Sequence, residues 1–555
     1  MIIVLDRLAG APVAVVDGGH PEPIFDLAAF VAERERAHSP RWVWDDTRTW
    51  YPLLLSAGVR VERCFDVRLC HAILRSSSLT AGSRLATAPP GPWDAPALPP
   101  ARPRENAGAL FDLLPEERHD PLLQADPIAE FAAQREAVAA AAEPGRIDRL
   151  LAAESAGALI AVEMRFAGLP WSAERHDSIL TAVLGPRPSV DGARPARLQR
   201  LLDVVRERLD SPELNPDSPV DLVKALGVAG LQVTSTRSWE LRKLKHPAIE
   251  PLLEYKKLAR LLATNGWSWL DEWVVDGRFR PDYVPGGTAT GRWASSGGGA
   301  QQLPKQIRGA VIADPGWTFV VADASQLEPR ILAAMSGDRG MIEAGAAGDL
   351  YAGIVASGAV ETRDQAKVAM LGAMYGATTG ESGRLMPKLA RAYPDAIRMV
   401  ENAARAGERG EIVTTRLGRS SPPPGLAWRS SQSEGYGENA TATDASRARG
   451  QARSWGRFTR NFIVQGTAAE WALCWMASIR RRLQDRAAGR RLTESAHLVF
   501  FLHDEIVVHC PLDEAEGVAL EVREAAGEAG RLLFGALPAA FPVTVAIVDT
   551  YADAK

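Results

Sequence analysis

The sequence predicts a mixed α/β (α+β) protein of more than one domain. Three observations carry this. Short apolar runs alternate with amphipathic ones near the N-terminus, a long helical stretch follows, and apolar runs split by a tight turn return near the C-terminus. At 555 residues the chain has room for about three or four domains. Its 46% hydrophobic and 24% charged content excludes disordered, collagen-like and disulfide-scaffold classes.

Taken in order, MIIVLD and APVAVV read as strands, FDLAAFVAERERA as a helix and RWVW as a strand. YPLLLSAG and DVRLCHAILRS read as helices, which completes a small α/β domain. Residues 87–103, rich in Pro, Ala and Gly, read as a loop or linker. PIAEFAAQREAVAAAA and IDRLLAAESAGALIAVEMRFAG are helical, the second stopping at Gly168 and Pro170. Helical, partly basic sequence then runs to about Trp269. A Gly/Ser/Thr-rich stretch covers 286–299, and GWTFVVAD reads as a buried strand ending in Asp323. Helices return over 327–404, and SSPPPG and SSQSEGYGENATATDAS read as exposed loop. VFFL and EIVVH form two strands around the two-residue turn His503-Asp504.

Cys64, Cys70, Cys474 and Cys510 include no CxxC pair, which argues against a disulfide framework and for a reducing compartment. The N-terminus has no basic n-region, and no run approaches the ~18 apolar residues of a membrane span. A cytoplasmic, membrane-free protein is expected. The formal charge of -4 argues against a polyanion partner taken whole. Locally, residues 403–460 carry ten Arg against five acids, and residues 511–555 carry eight acids against three cations. Only nine of the 64 basic residues are Lys, none before Lys224.

Four constellations bear chemistry. In VVADASQLEPR, Asp323 sits where an apolar strand ends, as a carboxylate facing a cleft would; Asp323 or Ser325 could equally cap the following helix. In FLHDEIVVHC, His503, Asp504 and Glu505 stand between apolar strands, although turns also favour Asp for backbone reasons. Two carboxylates on rigid strand ends suit a pair of Mg²⁺ ions in phosphoryl transfer. Arg363, Lys367, Leu371 and Tyr375 recur every four residues, a stripe about 18 Å long on a helix. Thr362 and Gln365 make a possible capping box at its start. Two cations followed by an apolar and an aromatic side chain suit a nucleoside triphosphate; the alternative is a surface helix with two solvated cations and two core residues. Finally, Arg292, Gln301, Asn461 and Gln465, in TATGRWASSGGGAQQ and RNFIVQGTAAEW, are donors suited to minor-groove acceptors. The Gly/Ser stretch alone reads as a flexible loop.

In this order, TATGR, DASQLEPR, R-x3-K-x7-YG, RNFIVQGTAAE and HDE resemble the motifs of the family A DNA polymerases. The resemblance runs from about Ala152 to the C-terminus. It implies a right-hand polymerase domain over 131–555: thumb about 150–270, palm about 271–345 and 461–555, fingers about 346–460. It implies a template-directed DNA polymerase acting in repair or replication with two Mg²⁺ ions, for which Mn²⁺ can substitute. Partners would be primer-template DNA and dNTPs, and the protein would be a monomer at the bacterial nucleoid. By resemblance Asp323 and Asp504 hold the metals, assisted by Glu505. Arg363 and Lys367 bind the triphosphate, and Lys367 protonates the leaving pyrophosphate. Leu371, Tyr375, Gln326 and Tyr351 border the nucleotide, and Glu328 is the steric gate against ribonucleotides. Arg292, Gln301, Asn461, Gln465 and His503 contact DNA, and STRSWELRKL and LLEYKKLARL resemble thumb elements gripping phosphates. Ala324, Pro329, Leu371 and Tyr351 depart from the family's usual residues.

WVWDDTRTWYPLLLSAGVRVERCFDVRLCHAILR resembles the middle of the family's ribonuclease H-like 3′→5′ exonuclease domain, which implies such a domain over about 1–130. The first strand offers Asp6-Arg7-Leu8 where proofreading needs Asp-x-Glu. Asp45 and Asp46 lie near the second site, and Asp126 fits the last carboxylate, with Leu122 in place of a Tyr. An inactive exonuclease-like domain is expected, with no room for a 5′-nuclease domain. The rivals are a related single-subunit RNA polymerase and a non-catalytic DNA-binding protein. Glu328 argues against the first, and the joint presence of Asp323, Lys367 and Asp504 against the second.

Overall fold

Alternating apolar runs at the N-terminus become a five-stranded sheet in the computed structural model, which describes residues 1–8, 10–95, 125–190, 192–377, 380–437 and 440–554. Its strands are β1 (Ile2–Leu8), β2 (Ala11–Val16), β3 (Glu22–Pro23), β4 (Arg41–Trp44) and β5 (Arg63–Asp66), in the order β3-β2-β1-β4-β5. Pairing is antiparallel from β1 toward β3 and parallel from β1 through β4 to β5, a ribonuclease H-like arrangement. Ile3, Val4, Leu5, Trp42, Val43 and Trp44 are buried, as the near-continuous apolar runs require.

The helices here are α1 (Leu27–His38), α2 (Thr47–Ser56), α3 (Val67–Ser76), α4 (Arg84–Thr87), α5 (Pro127–Ala139) and α6 (Pro144–Ala167). Asp26, Asp46, Asp66 and Asp126 cap α1, α2, α3 and α5 with their side chains. Thr87 thus ends a short helix, while 96–103 of the expected linker, and Leu122, lie outside the described residues. α6 stops at Gly168, whose φ of +71° a side chain would resist.

By its contacts the chain forms two units. The first is Met1–Ala167, Asp282–Ser296 and Val320–Ile547; the second is Gly168–Pro281, Gly297–Phe319 and Val548–Lys555.

The second unit holds β6 (Leu169–Pro170), α7 (Ala173–Leu184), α8 (Ala196–Arg208), α9 (Pro219–Val228), α10 (Ser238–Leu241), α11 (Ile249–Asn265), α12 (Trp267–Trp273), β7 (Val274–Val275) and β8 (Arg278–Phe279). Val205, Leu222, Leu226, Leu241 and Leu252 form one core; Trp171, Trp269 and Phe279 form an aromatic one. Arg237, Arg242, Lys256, Lys257 and Arg260 line one open cleft of this unit, together with Glu250 and Glu254. The two basic segments singled out in the sequence therefore meet.

The rest of the first unit carries β9 (Asp282–Val284), β10 (Ala294–Gly297), β11 (Trp317–Ala324), α13 (Leu327–Ser336), α14 (Arg339–Ala346), α15 (Leu350–Ala356), α16 (Arg363–Tyr375), α17 (Gly380–Ala392), α18 (Pro394–Glu408), α19 (Leu426–Tyr436), α20 (Ala442–Ala487), β12 (His497–Leu502), β13 (Glu505–Pro511), α21 (Ala515–Phe534) and β14 (Val543–Val548). The last sheet runs β12-β13-β11-β14. One expectation is corrected here: SSQSEGY is helical, within α19, and ATDAS opens α20. Small residues let that helix close on α20, since a Cβ on Gly435 would collide with Ala448, and Ser431 is buried there.

A buried ionic cluster ties the N-terminal sheet to α6 and α20. Arg480 donates to Glu163 at 2.7 and 3.0 Å and to the Val61 and Glu62 carbonyls at 2.6 and 2.7 Å. The Tyr51 hydroxyl donates to Glu163 at 2.5 Å. Burial opposes charge on Glu163, but Arg480 and Arg60 hold its carboxyl below the usual range. Removing one partner of a buried pair strands the other charge. Arg480→Ala is therefore expected to cost about 3–5 kcal/mol of unfolding free energy. Chemical denaturation measures this, and a loss within error of zero would contradict it.

Candidate nucleotidyl-transfer site

Asp323 is the penultimate residue of β11 and Asp504 closes the β12–β13 turn, and β11 and β13 are neighbours in the sheet. The Ala324 amide donates to the Asp504 carbonyl at 2.9 Å, so the two aspartates leave adjacent strand ends. The turn has two residues, Leu502 facing Glu505 in register, and His503 takes φ +60°. Asp323 does not cap the next helix: Gln326, at φ +57°, holds the N-cap position of α13 without a side-chain cap bond. Asp323 and Asp504 are half-buried, His503 is exposed and Glu505 is buried. Among the described residues no group of three or more His, Cys, Asp or Glu gathers as a metal cluster. Two part-exposed carboxylates nevertheless fit magnesium, which takes hard oxygen donors and keeps waters and phosphate oxygens in its shell.

α16 presents the predicted stripe. Arg363, Lys367, Leu371 and Tyr375 are all exposed, while Ala366, Ala369, Met370, Ala373 and Met374 are buried. Leu371 and Tyr375, 37% and 43% exposed, are therefore not core residues. The capping box is half-formed. Thr362 Oγ1 accepts from the Gln365 amide at 3.2 Å, but Gln365 Oε1 accepts from the Glu361 amide at 3.0 Å.

Both ends of the stripe are tied back to the start of α13. Tyr375 donates to Glu328 at 3.0 Å, and Arg292 pairs with the same carboxylate. Burial, then Glu328, raises the Tyr375 phenol, with Asn461 beside it. His503 lies in the same cluster: partial desolvation and Arg292 lower its pKa against the pull of Glu328. At the other end, Arg363 Nε donates to Asp349 at 2.8 Å, and its guanidinium lies 5.4 Å from the ring centre of the buried Tyr351. Gln326 donates to Asp349 at 2.7 Å. Arg330, buried, bonds the Ser325 and Gly345 carbonyls at 3.0 Å and so braces the start of α13. Sequence reasoning missed Asp349 and Arg330; the sole signal for Asp349 was its place before an apolar helical run.

The Thr288–Arg292 turn has its own support. Thr290 donates to Gln465 at 3.0 Å. Gly291, at φ +79°, leaves no room for a Cβ beside Arg419, which pairs with the buried Glu154. The segment around Arg419 is in turn bonded to Glu470, which accepts from Thr415 and from the Leu417 amide at 2.8 Å. Arg292, Glu328, Tyr375, Asn461 and His503 thus come together, with Gln465 joined through Thr290. Gln301 sits on a short helical turn, Ala300–Gln302, in the second unit.

Four similarities bear on this geometry. A family model described as DNA polymerase family A matches residues 195–547. DNA polymerase I of Chloroflexus aurantiacus is 29% identical over 355 residues, 59% of this chain and 34% of that protein. The thermostable DNA polymerase I of Thermus aquaticus is 28% identical over 360 residues, 59% of this chain and 39% of that protein. Each match thus spans little more than a third of its relative. In three dimensions the chain is similar to the POL domain of Pol1 from M. smegmatis, solved with DNA primer-template and dNTP. The TM-score is 0.69 at 20% identity, covering 100% of this chain and 95% of that one. The chain thus has the mixed α/β palm, fingers and thumb fold of a family A polymerase domain.

Glu470 supplies a pH test. Burial raises its carboxyl from an ordinary 4.5 to about 7, against the lowering effect of Thr415 and Leu417. A raised acid is stabilising in its protonated form. That contribution is complete below pH 4.5 and lost as pH rises through 7. Glu470→Gln, neutral throughout, should flatten the fall in stability between pH 5 and 8 by on the order of 3 kcal/mol. Unfolding curves at the two pH values check this, and an unchanged slope would refute it.

Proposed function

The chain belongs to DNA polymerase family A, and from that premise we propose that it is a template-directed DNA polymerase, adding dNTPs to a primer 3′ end in replication or repair. The observation that carries this reading is the pairing of Asp323 and Asp504 on neighbouring strand ends, linked through residues 326–328 to the exposed stripe of α16. Members of the family work with divalent metal ions. Here Asp323 and Asp504 would hold two Mg²⁺, or Mn²⁺ in their stead, with Glu505 assisting. When bound, such ions stabilise the attacking and leaving oxygens of phosphoryl transfer.

The protein's own groups do the rest. Arg363 and Lys367 bind the triphosphate, and Lys367 gives a proton to the departing pyrophosphate. Leu371 and Tyr375 lie against the incoming base and sugar. Glu328, held by Tyr375 and Arg292, closes the space beside the sugar 2′ carbon, which favours DNA over RNA synthesis. Arg292, Asn461, Gln465 and His503 meet the primer and template. We assign the thumb to about 150–270, whose basic cleft would grip duplex phosphates, the fingers to about 346–460 and the palm to the remainder of 271–555. Primer-template DNA and dNTPs are the partners of a monomer working at the bacterial nucleoid. Among the described residues no helix is long and apolar enough to cross a membrane.

The first domain, about 1–130, is read as lacking proofreading, because its carboxylates serve the fold. Asp126 accepts from the Ile128 and Ala129 amides, and Asp46 holds Arg48 and Arg68. Asp66 accepts from Thr47, and Asp45 from Trp50. Arg7, 4.2 Å over the Trp50 ring, offsets the charge of Asp6 and Asp45.

Asp323→Ala or Asp504→Ala should each slow primer extension on the order of a thousandfold. Extension at the parental rate by either variant would defeat the assignment. Glu328→Ala should raise ribonucleotide incorporation in a single-nucleotide assay while dNTP incorporation persists. No Mg²⁺-dependent trimming of single-stranded 3′ ends is expected; trimming abolished by Asp126→Ala would reverse the reading of the first domain.

A further inference from the structure

Asp349 belongs to none of the motifs, yet both of its oxygens are committed. Oδ1 accepts from the Tyr351 amide at 3.0 Å, the Ala352 amide at 3.2 Å and Gln326 Nε2 at 2.7 Å. Oδ2 is left to Arg363 Nε, at 2.8 Å. Gln326 is fixed in turn, since its Oε1 accepts from the Leu350 amide at 2.8 Å. Burial would raise the Asp349 carboxyl, but Arg363, Ala352 and Gln326 hold it down to about 2, so the anion persists at any working pH.

The geometry of the guanidinium matters most. Asp349 engages only Nε, and the Tyr351 ring lies against the group. The two terminal nitrogens, which make the bidentate fork that phosphate oxygens accept, are not used by Asp349. An exposed arginine otherwise samples many rotamers, and fixing one before binding removes that cost from the binding step.

We propose that Asp349, braced by Gln326, is a positioning residue that aims the Arg363 fork at the triphosphate of the incoming nucleotide. This rests on the reading of Arg363 as a triphosphate ligand. Asp349 is also the N-cap of α15, and the two roles can be separated. Asn caps a helix as well as Asp does, but it carries no charge for Arg363.

The test is single-nucleotide incorporation by the full chain carrying Asp349→Asn, Arg363→Ala, or both. Asp349→Asn should raise KM for dNTP about tenfold, the value of one charge-assisted hydrogen bond. Its kcat should stay within about twofold, with Tm and primer-template affinity unchanged. Added to Arg363→Ala, it should raise KM no further. An unchanged or lowered KM in Asp349→Asn would overturn the proposal. So would an equal rise in both backgrounds, which is the mark of a structural effect alone. If Arg363→Ala itself left KM unchanged, the assignment of Arg363 would fall first, and this proposal with it.

Discussion

Two carboxylates brought side by side repel each other. Asp323 and Asp504 can stay together only because neither is free to leave. Each lies at or beside the end of a strand with a buried run next to it: Val320 and Ala322 before Asp323, and Ile506, Val507 and Val508 after Asp504. The Ala324–Asp504 backbone bond sets their register. Tyr283 clamps the hairpin from outside the sheet, its hydroxyl donating to the Phe501 carbonyl at 2.6 Å and accepting from the Phe501 amide at 3.0 Å. A one-residue slip in this register would turn one aspartate into the core.

The rest of the site is measured from the same strand end. Three residues past Asp323, Gln326 reaches Asp349 and, through it, Arg363. Five residues past Asp323, Glu328 reaches Tyr375 and Arg292. The first and last members of the α16 stripe are thus both referenced to a short stretch that follows Asp323. That stretch is held by the left-handed Gln326 and by buried Arg330. A helix fixed at one end could swing; tied at both, it presents its four exposed side chains at a set distance from the aspartates.

Much of this was legible in the sequence because it is local. The run VVAD, the two-residue turn in LHDE and the four-residue period of Arg363, Lys367, Leu371 and Tyr375 are short-range patterns that the backbone obeys directly. What escaped is long-range or conformational. Tyr51, Glu163 and Arg480 are separated by 112 residues and more, so nothing local announces that they share one buried cluster. Asp349 reads as an ordinary helix cap, which it is; its second oxygen has a use that depends on where α16 packs. SSQSEGY has poor helical propensity, but its small residues fit against α20, and packing prevails over propensity there. Asp323 looked equally fit to cap a helix, until the left-handed turn at Gln326 moved the helix start beyond its reach.

The charge pattern teaches the same lesson about neighbours. Residues 403–460 have a surplus of arginine, but several of those arginines are occupied at home. Arg405 and Arg409 pair with Glu401 and Glu411, and Arg447 with Asp444. Arg416 bonds the Leu533 carbonyl, and Arg419 is locked to Glu154 beneath Gly291. Arg449, Arg453 and Arg457 remain exposed on α20, upstream of Asn461. In the first domain the carboxylates are similarly occupied, as caps and as partners of Arg7, Arg48 and Arg68. A phosphate responds to cations that can meet it, not to a sum over the chain. A net charge of -4 is therefore compatible with a nucleic-acid partner, because the sum counts charges already paired within the protein on equal terms with those that can meet a phosphate.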